Sequence, residues 1–215
     1  MLAHVGEVLN NPVTGEHGVI RIPPQASNGY LLIGDLYLQP GGAVAGEHVH
    51  PAMAEVFTVV SGQIGMRING REFIASAGQR TQIAAGQAHD WWNAADSEAH
   101  VVVEVQPGDR FITMIRQLFG LAQDGRTSAK GMPKLLDGVA LGREFADTIR
   151  FTSPPRLVQQ VMFGLLGPLA RITGHLGISA RYHGDPTLTE LKPLPPEIVA
   201  LIPALAAAQA GERQP

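Results

Sequence analysis

Two histidines and a glutamate lie close together between Gly41 and Phe57. His48 and His50 are separated by one residue, and Glu55 follows five residues after His50. Because side chains two positions apart in a β-strand point to the same face, both imidazoles can aim at one point. Pro51 permits a bend, after which a returning strand that begins near Glu55 would lay its carboxylate beside the two rings. Two imidazoles and a carboxylate make a partial metal site with nitrogen and oxygen ligands.

A second stretch contains a fourth histidine, His89, which opens a predicted strand after a glycine turn. The first stretch follows the pattern Gly42-x5-His48-x-His50-x4-Glu55-x6-Gly62, and the second follows Gly78-x5-Ala84-x-Gly86-x2-His89-x3-Asn93. The pair resembles the two motifs of the cupin superfamily. In cupins a proline usually stands where this chain has Ala84, but that proline shapes a turn and binds nothing. With the strands around the motifs, the resemblance extends from about residue 17 to residue 107.

The resemblance implies a small double-stranded β-helix, or jelly-roll, barrel with one divalent transition metal per chain. The implied ligands are His48, His50, Glu55 and His89. Fe(II) is the favoured ion, but imidazoles with one carboxylate also suit Mn(II), Zn(II), Ni(II) or Cu(II), and ligand type does not choose among them. The other histidines lack such partners and are expected to be ordinary surface or core residues; they are His4, His17, His100, His175 and His183.

The pattern of apolar residues changes near residue 109. Before it, short alternating runs separated by turns every eight to twelve residues predict an all-β barrel or sandwich, with a hairpin at Asn69-Gly70. After it, apolar residues at helical spacing predict helices at about 111–122, 133–149 and 157–176. The predicted fold is therefore mainly β, with a cupin barrel over residues 1–108, a helical extension over 109–203 and a flexible tail over 204–215.

The third predicted helix is strongly apolar between Leu157 and Ile172. Polar residues, glycines and Pro168 interrupt it, so it does not meet the length of about 18 continuous apolar residues typical of a membrane span. The favoured interpretation is a buried helix packed on the barrel; a dimer or partner surface and an interfacial membrane helix are the alternatives. We expect a homodimer, as in many cupins. A truncation near Gly108 is expected to keep the four metal ligands in place.

Composition excludes several classes of function. The 215 residues carry 19 acidic and 16 basic side chains and no basic run, so we expect no nucleic-acid partner. Cysteine is absent, which rules out disulfides, thiolate nucleophiles and thiolate metal ligands. The first residues lack the basic and continuous apolar regions of a secretory signal, which predicts a cytoplasmic protein.

The predicted pocket around the metal is apolar. Strand alternation places Phe57 and Val59 on the face of Glu55, and Trp91 on the face of His89, so all three are candidate substrate-pocket residues. For Trp91, a role in filling the barrel core is as good an interpretation as contact with substrate. A small, largely apolar or aromatic substrate that chelates the ion through oxygen is expected.

Three functions remain open from the sequence. The favoured one is a metal-dependent, dioxygenase-like oxidoreductase. The second is a non-oxidative isomerase, lyase or decarboxylase in which Glu55, the candidate catalytic residue, or a metal-bound hydroxide moves a proton. The third is a non-catalytic protein that binds a small molecule or docks a partner. Oxygen uptake separates the first from the second.

Overall fold

The structure, a computed structural model, describes residues 2–211, and within them eleven strands form two antiparallel sheets. The strands are β1 (Val8–Asn11), β2 (Glu16–Ile22), β3 (Leu32–Leu38), β4 (His48–Val49), β5 (Ala54–Ser61), β6 (Gln63–Ile68), β7 (Arg71–Ser76), β8 (Arg80–Ile83), β9 (Ala88–Asn93), β10 (Ala99–Gln106) and β11 (Arg150–Phe151). One sheet has the order β1-β2-β3-β10-β5-β8, and the other has the order β11-β4-β9-β6-β7. The predicted mainly β architecture is confirmed.

The order of the strands shows how distant parts of the chain form one barrel. β10 lies between β3 and β5, and β9 lies between β4 and β6, so each sheet joins strands that are far apart in sequence. Of the two ligand motifs, the first therefore contributes β4 and β5 to different sheets, and the second contributes β9 beside β4. This crossing brings the ends of β4, β5 and β9 together at one place in the barrel.

The hairpin predicted at Asn69-Gly70 joins β6 to β7. Both residues have positive φ, 49° and 79°, which is the requirement of the two-residue type I′ turn. The turn fixes the β6–β7 register, with Ile68 opposite Arg71 and Ile64 opposite Ala75. As a result Ile64 and Met66 point inward and are fully buried in the barrel core.

The barrel interior is filled by the inward residues of both sheets. On β9, His89, Trp91 and Asn93 are buried while Asp90 and Trp92 are half-buried, as strand alternation predicts. The largest apolar cluster inside the barrel contains eleven buried residues: Leu36, Leu38, Phe57, Val59, Ile64, Met66, Ala75, Ile83, Trp91, Ala99 and Val101.

In its described part, up to residue 211, the extension after residue 108 contains five α-helices, a short 3-10 helix at Ala180–Tyr182 and the strand β11. The helices are α1 (Asp109–Gln123), α2 (Leu135–Glu144), α3 (Arg156–Ile172), α4 (Pro196–Leu201) and α5 (Pro203–Gly211). α1 packs on the barrel end, where Ile112 joins a cluster with Ile20, Leu32 and Val105. α4 and the start of α5 cover the outer face of the larger sheet, where Ile198 and Ile202 contact Ile33 and Val102.

The extension also completes a barrel sheet. The helix predicted for residues 133–149 is shorter than expected, because the chain turns after Glu144 with Phe145 fully buried. Arg150 and Phe151 then pair with Val49 and His48 of β4. The extension is therefore not wholly helical, because it contributes one strand to a barrel sheet. The domain boundary near residue 108 stays a prediction.

The expected packing of the third helix on the barrel is wrong. α3 packs on α2, where Phe163 lies against Gly142, and its opposite face is exposed. Leu157, Leu165 and Ile172 are 71%, 74% and 81% exposed. One side of a helix that is apolar nearly all round is thus left uncovered in the single chain, because α2 alone is too narrow to bury it.

The last described helix, α5, covers residues 203–211 and so includes most of the segment 204–215 predicted as a flexible tail. Residues 212–215 of that segment lie outside the described residues. Among the described residues, none of the helices combines the length and the apolar character that crossing a bilayer requires.

Candidate metal centre

The four predicted ligands converge on one buried point. His48 on β4 lies directly opposite His89 on β9, and Glu55 lies near the start of β5, after the bend at Pro51. The candidate ligand atoms of His48, His50, Glu55 and His89 all lie within 4.8 Å of one another, and all four residues are buried. The structure therefore brings together the four residues that the two motifs singled out.

Backbone carbonyls orient all three imidazoles in the same way. The Nδ1 atom of His48 lies 2.9 Å from the Gly46 carbonyl, that of His50 2.7 Å from the Thr148 carbonyl, and that of His89 3.0 Å from the Gln87 carbonyl. Because a carbonyl oxygen only accepts hydrogen bonds, each Nδ1 must carry the proton. The lone pair of a neutral ring is then on Nε2, as metal-ligating histidines require.

The Nε2 atoms face a carboxylate that also only accepts. Oε2 of Glu55 lies 3.0 Å from Nε2 of His89 and 3.4 Å from Nε2 of His50. Nε2 of His50 is buried and has no hydrogen-bond partner. Acceptors held this close in a buried place need a cation between them, either protons on the rings or a metal ion. Three nitrogens and one oxygen are a donor set that first-row divalent metals accept, so these residues fit such an ion.

The electrostatics favour positive charge at this place. Burial, followed by repulsion from the other two imidazoles, lowers the pKa of His48 to about 3, so this ring is neutral. Burial alone would raise the pKa of Glu55, but the imidazoles of His50 and His89 outweigh it and hold that pKa below its usual value. Burial likewise opposes the charged form of His50, yet the Glu55 carboxylate raises its pKa overall. An ionised carboxylate among buried rings therefore attracts a proton or a metal ion.

An apolar cavity reaches the ligand cluster from inside the barrel. His48, His50 and Glu55 line it, while His89 lies behind them and is fully buried. Phe111 and Phe151 flank the ligands, with ring centroids 6.1 Å from His50 and 6.3 Å from His48. Most of the remaining lining is aliphatic or aromatic.

Helix α1 forms one wall of this cavity. Six of its residues line the cavity: Phe111, Ile112, Met114, Ile115, Leu118 and Phe119. Arg116 holds the helix to the N-terminal segment through a buried ion pair with both carboxylate oxygens of Glu7, at 2.8 and 2.7 Å. The extension thus packs over the barrel end and supplies one apolar wall of the cavity.

Two of the three predicted pocket residues lie on the cavity wall. Phe57 and Trp91 line it, with ring centroids 5.9 Å apart, and Trp91 also belongs to the apolar core. Val59 lies two residues further along β5, packed in the core away from the cavity. A contact of Phe57 and Trp91 with substrate stays a prediction.

Sequence reasoning missed residues that come from outside the two motifs. Thr148 and Phe151 belong to the extension, and nothing local in the sequence connects them to His50 or His48. Glu16 also lines the cavity. Glu16 is a carboxylate on the same face of β2 as Ile20, and that face is otherwise apolar. A carboxylate on an apolar strand face is the sequence signal that could have identified Glu16.

Comparison with known proteins gives the family of the barrel. Residues 34–105 match the cupin domain family. This segment contains most of β3, all of β4 to β9, most of β10 and all four candidate ligands, so the chain contains a cupin domain, as the two motifs predicted. Within that domain, three histidines and one glutamate form a cluster that could bind a metal.

One curated relative and several solved structures are similar to the chain. Over 82 residues, 38% of the chain, it is 30% identical to tetracenomycin polyketide synthase protein TcmJ of Streptomyces glaucescens, and the alignment covers 53% of that protein. The chain thus matches about half the length of this relative. A protein of Thermotoga maritima described as a predicted oxalate decarboxylase is 18% identical, with a TM-score of 0.43, over 50% of this chain and 99% of that one. The cupin domain of a transcriptional regulator from Enterobacter cloacae is 18% identical, with a TM-score of 0.38, over 43% and 96%.

Proposed function

We propose that the protein is a metal-dependent oxygenase whose substrate is a largely apolar or aromatic molecule that chelates the ion through oxygen atoms. The observation that carries this proposal is the position of the ligand cluster on the wall of an apolar cavity that α1 lines on another side. Four protein ligands leave up to two positions of a six-coordinate ion for substrate. Substrate would reach an ion held by these residues from the cavity side, because His48, His50 and Glu55 line the cavity.

Each part of the site has a task in such a reaction. The three imidazoles, fixed by the carbonyls of Gly46, Thr148 and Gln87, present Nε2 to the ion. When bound, a divalent ion polarises the substrate oxygens as a Lewis acid, and iron adds redox chemistry with O2. Phe57 and Trp91 orient the apolar body of the substrate, and the apolar side chains of α1 pack against it. Fe(II) is the ion that this proposal favours.

A second candidate is a non-oxidative reaction on the same kind of substrate. It is favoured by the similarity to TcmJ, whose name places it with a polyketide synthase. Polyketide chains carry carbonyl groups that chelate metals and lose a neighbouring proton readily. In this reaction Glu55 takes the role of proton acceptor, since its carboxylate is held ionised beside His50 and His89.

Metal content and oxygen consumption test the proposal. The full chain is purified without added metal, its metals are measured by elemental analysis, and it is loaded with Fe(II). We expect O2 uptake in step with conversion of an aromatic diol or a 1,3-diketone. His89→Ala should lose the metal and the activity, whereas His4→Ala, which changes an exposed histidine, should keep both.

Two outcomes would contradict the oxygenase proposal. Conversion of the same compounds at an unchanged rate without O2 would favour the non-oxidative reaction. A His89→Ala protein with wild-type metal content would show that the four residues are not the metal site.

A further inference from the structure

A carboxyl group lies in the cavity outside the ligand cluster. Glu16 begins β2 and points to the same face as Gly18 and Ile20, which also line the cavity. Its side chain is buried, with the residue only 7% exposed. It is opposite Leu38 of β3 and Asn11 of β1, at the barrel end away from the start of β5, where Glu55 lies.

The backbone fixes how far Glu16 is from the ligands. The turn before Glu16 is tied to the end of β9, because the Ala43 amide donates to the Thr14 carbonyl while the Asn93 amide donates to the Gly42 carbonyl. His89 lies four residues earlier on the same strand as Asn93. With a rise of about 3.3 Å per residue, this end of the cavity is roughly 13 Å along β9 from the ligand cluster.

The surroundings of Glu16 leave it free to bind a ligand. Thr14 donates a hydrogen bond from Oγ1 to Oε2 of Glu16 at 2.5 Å. Among the described residues no basic side chain forms an ion pair with Glu16, and its other carboxyl oxygen has no hydrogen-bond partner. Burial raises the pKa of Glu16 to about 7, although the Thr14 hydrogen bond acts in the opposite direction. Near neutral pH it is therefore partly a neutral acid, which both donates and accepts hydrogen bonds.

Packing alone does not account for this carboxyl group. A buried carboxyl without an ion-pair partner destabilises the fold relative to an apolar side chain of the same size. Gly18, the next residue of β2 on this face, also lines the cavity, and a Cβ built there would be in ordinary contact with the Leu9 Cβ at 3.6 Å. The cavity therefore has Glu16 at one end, the ligand cluster at the other and a mostly apolar lining between them, with Asn11 and Asp35 as its other polar lining residues.

Building on the proposed function, we propose that Glu16, supported by Thr14, binds a hydroxyl or carbonyl group at the end of the substrate opposite its metal-chelating oxygens. The substrate class that fits is an elongated, apolar molecule of several rings, or a long chain, with oxygen at both ends. Glu16 is then a specificity-determining residue that selects substrates by length and by the polar group at the far end.

Two probes that differ in one hydroxyl group test this inference on the metal-loaded full chain. Both are hydroxyanthraquinones with the same metal-chelating hydroxyl and ketone, and one carries a further hydroxyl on the ring furthest from the chelating pair. Dissociation constants are measured by calorimetry for the wild type, for Glu16→Leu and for Glu190→Gln, a control at an exposed glutamate outside this cavity.

We expect the wild type to bind the probe with the far hydroxyl about tenfold more tightly, the effect of one good buried hydrogen bond. Glu16→Leu should bind both probes equally, with the affinity for the other probe within about threefold of the wild type, and Glu190→Gln should behave as the wild type. Glu16→Gln keeps hydrogen-bonding atoms and should retain most of the preference for the probe with the far hydroxyl. It serves as the second variant if the leucine variant does not fold.

The outcomes separate this inference from the proposed function. Equal affinity of the wild type for both probes, or an undiminished preference in Glu16→Leu, would overturn the role of Glu16 and leave the metal site standing. If neither probe binds the loaded wild type, the chelating pocket itself is wrong, and the inference falls with it.

Discussion

Replacing Glu16 with glutamine should stabilise the protein at high pH and change little at low pH. The pKa of Glu16 is about 7 in the folded chain, against 4.5 for a free glutamate side chain. Between these values the folded state binds more protons than the unfolded state, so the free energy of unfolding of the wild type falls as the pH rises. Glutamine has the shape of glutamate but does not titrate, so the free energy of unfolding of the variant does not fall in this way.

The expected size follows from the two pKa values. At about 1.4 kcal/mol for each pH unit, a rise from 4.5 to about 7 amounts to roughly 3 kcal/mol, of which about 2.5 kcal/mol develops between pH 5 and pH 8. The free energy of unfolding is measured by urea denaturation at both pH values, in the presence of a chelator so that metal binding does not contribute. For each pH the free energy of unfolding of the wild type is subtracted from that of the variant. The value at pH 5 is then subtracted from the value at pH 8.

This comparison cancels effects of the substitution that do not depend on pH. Glu190→Gln, at an exposed position, should give a difference near zero. If Glu16→Gln also gave less than about 0.5 kcal/mol, Glu16 would not lie in an environment that opposes ionisation. A Glu16→Leu protein that is more stable than the wild type at pH 8 but binds both probes equally would show that the chain keeps the carboxyl group for binding rather than for folding.

Further predictions concern the metal and the extension. His48→Ala should abolish most metal binding. In the wild type, metal occupancy should fall on acidification with a midpoint below about pH 6.5, because protons compete for the Nε2 lone pairs. Occupancy is measured by elemental analysis after dialysis, and full occupancy at about pH 4 would contradict this prediction. Truncation after Gly108 should weaken metal binding by about 10- to 100-fold, because it removes the Thr148 carbonyl that holds His50; this revises the sequence-based expectation, and equal affinity of both lengths in a metal titration would refute it. Glu7→Gln should destabilise the chain by about 3 kcal/mol in urea denaturation, since it leaves Arg116 buried beside a neutral group; a loss below about 1 kcal/mol would show that the pair does not hold α1.

The sequence predicted the ligand cluster well because its determinants are local. His48, His50 and Glu55 lie within eight residues, and the glycines around them mark the turns that reverse the chain. The hairpin at Asn69-Gly70 was predictable for the same reason, since a type I′ turn depends on two residues. Strand alternation then placed Phe57 and Trp91 on the correct faces.

The remaining parts of the site depend on contacts that no local pattern records. Thr148 reaches His50 from a turn after α2, and the helix expected over 133–149 ends early because Arg150 and Phe151 pair with β4. The packing of α3 was predicted wrongly, because periodicity indicates that a helix has an apolar face but not which surface covers it. A homodimer that covers this face stays a prediction, to be checked by size-exclusion chromatography.

The contact between His50 and Thr148 spans 98 residues of sequence. At a synthesis rate of about 5–20 residues per second, the ribosome needs roughly 5–20 s after His50 emerges to make its partner carbonyl. During that interval the His50 ring is free to turn either nitrogen toward the carboxylate of Glu55, and the sheet that contains β4 still lacks β11. Metal captured on the nascent chain would meet four ligands of which His50 is not yet held in place, so the order of events favours loading after the extension has folded. The extension thereby couples the orientation of one candidate ligand to a residue made 98 positions later.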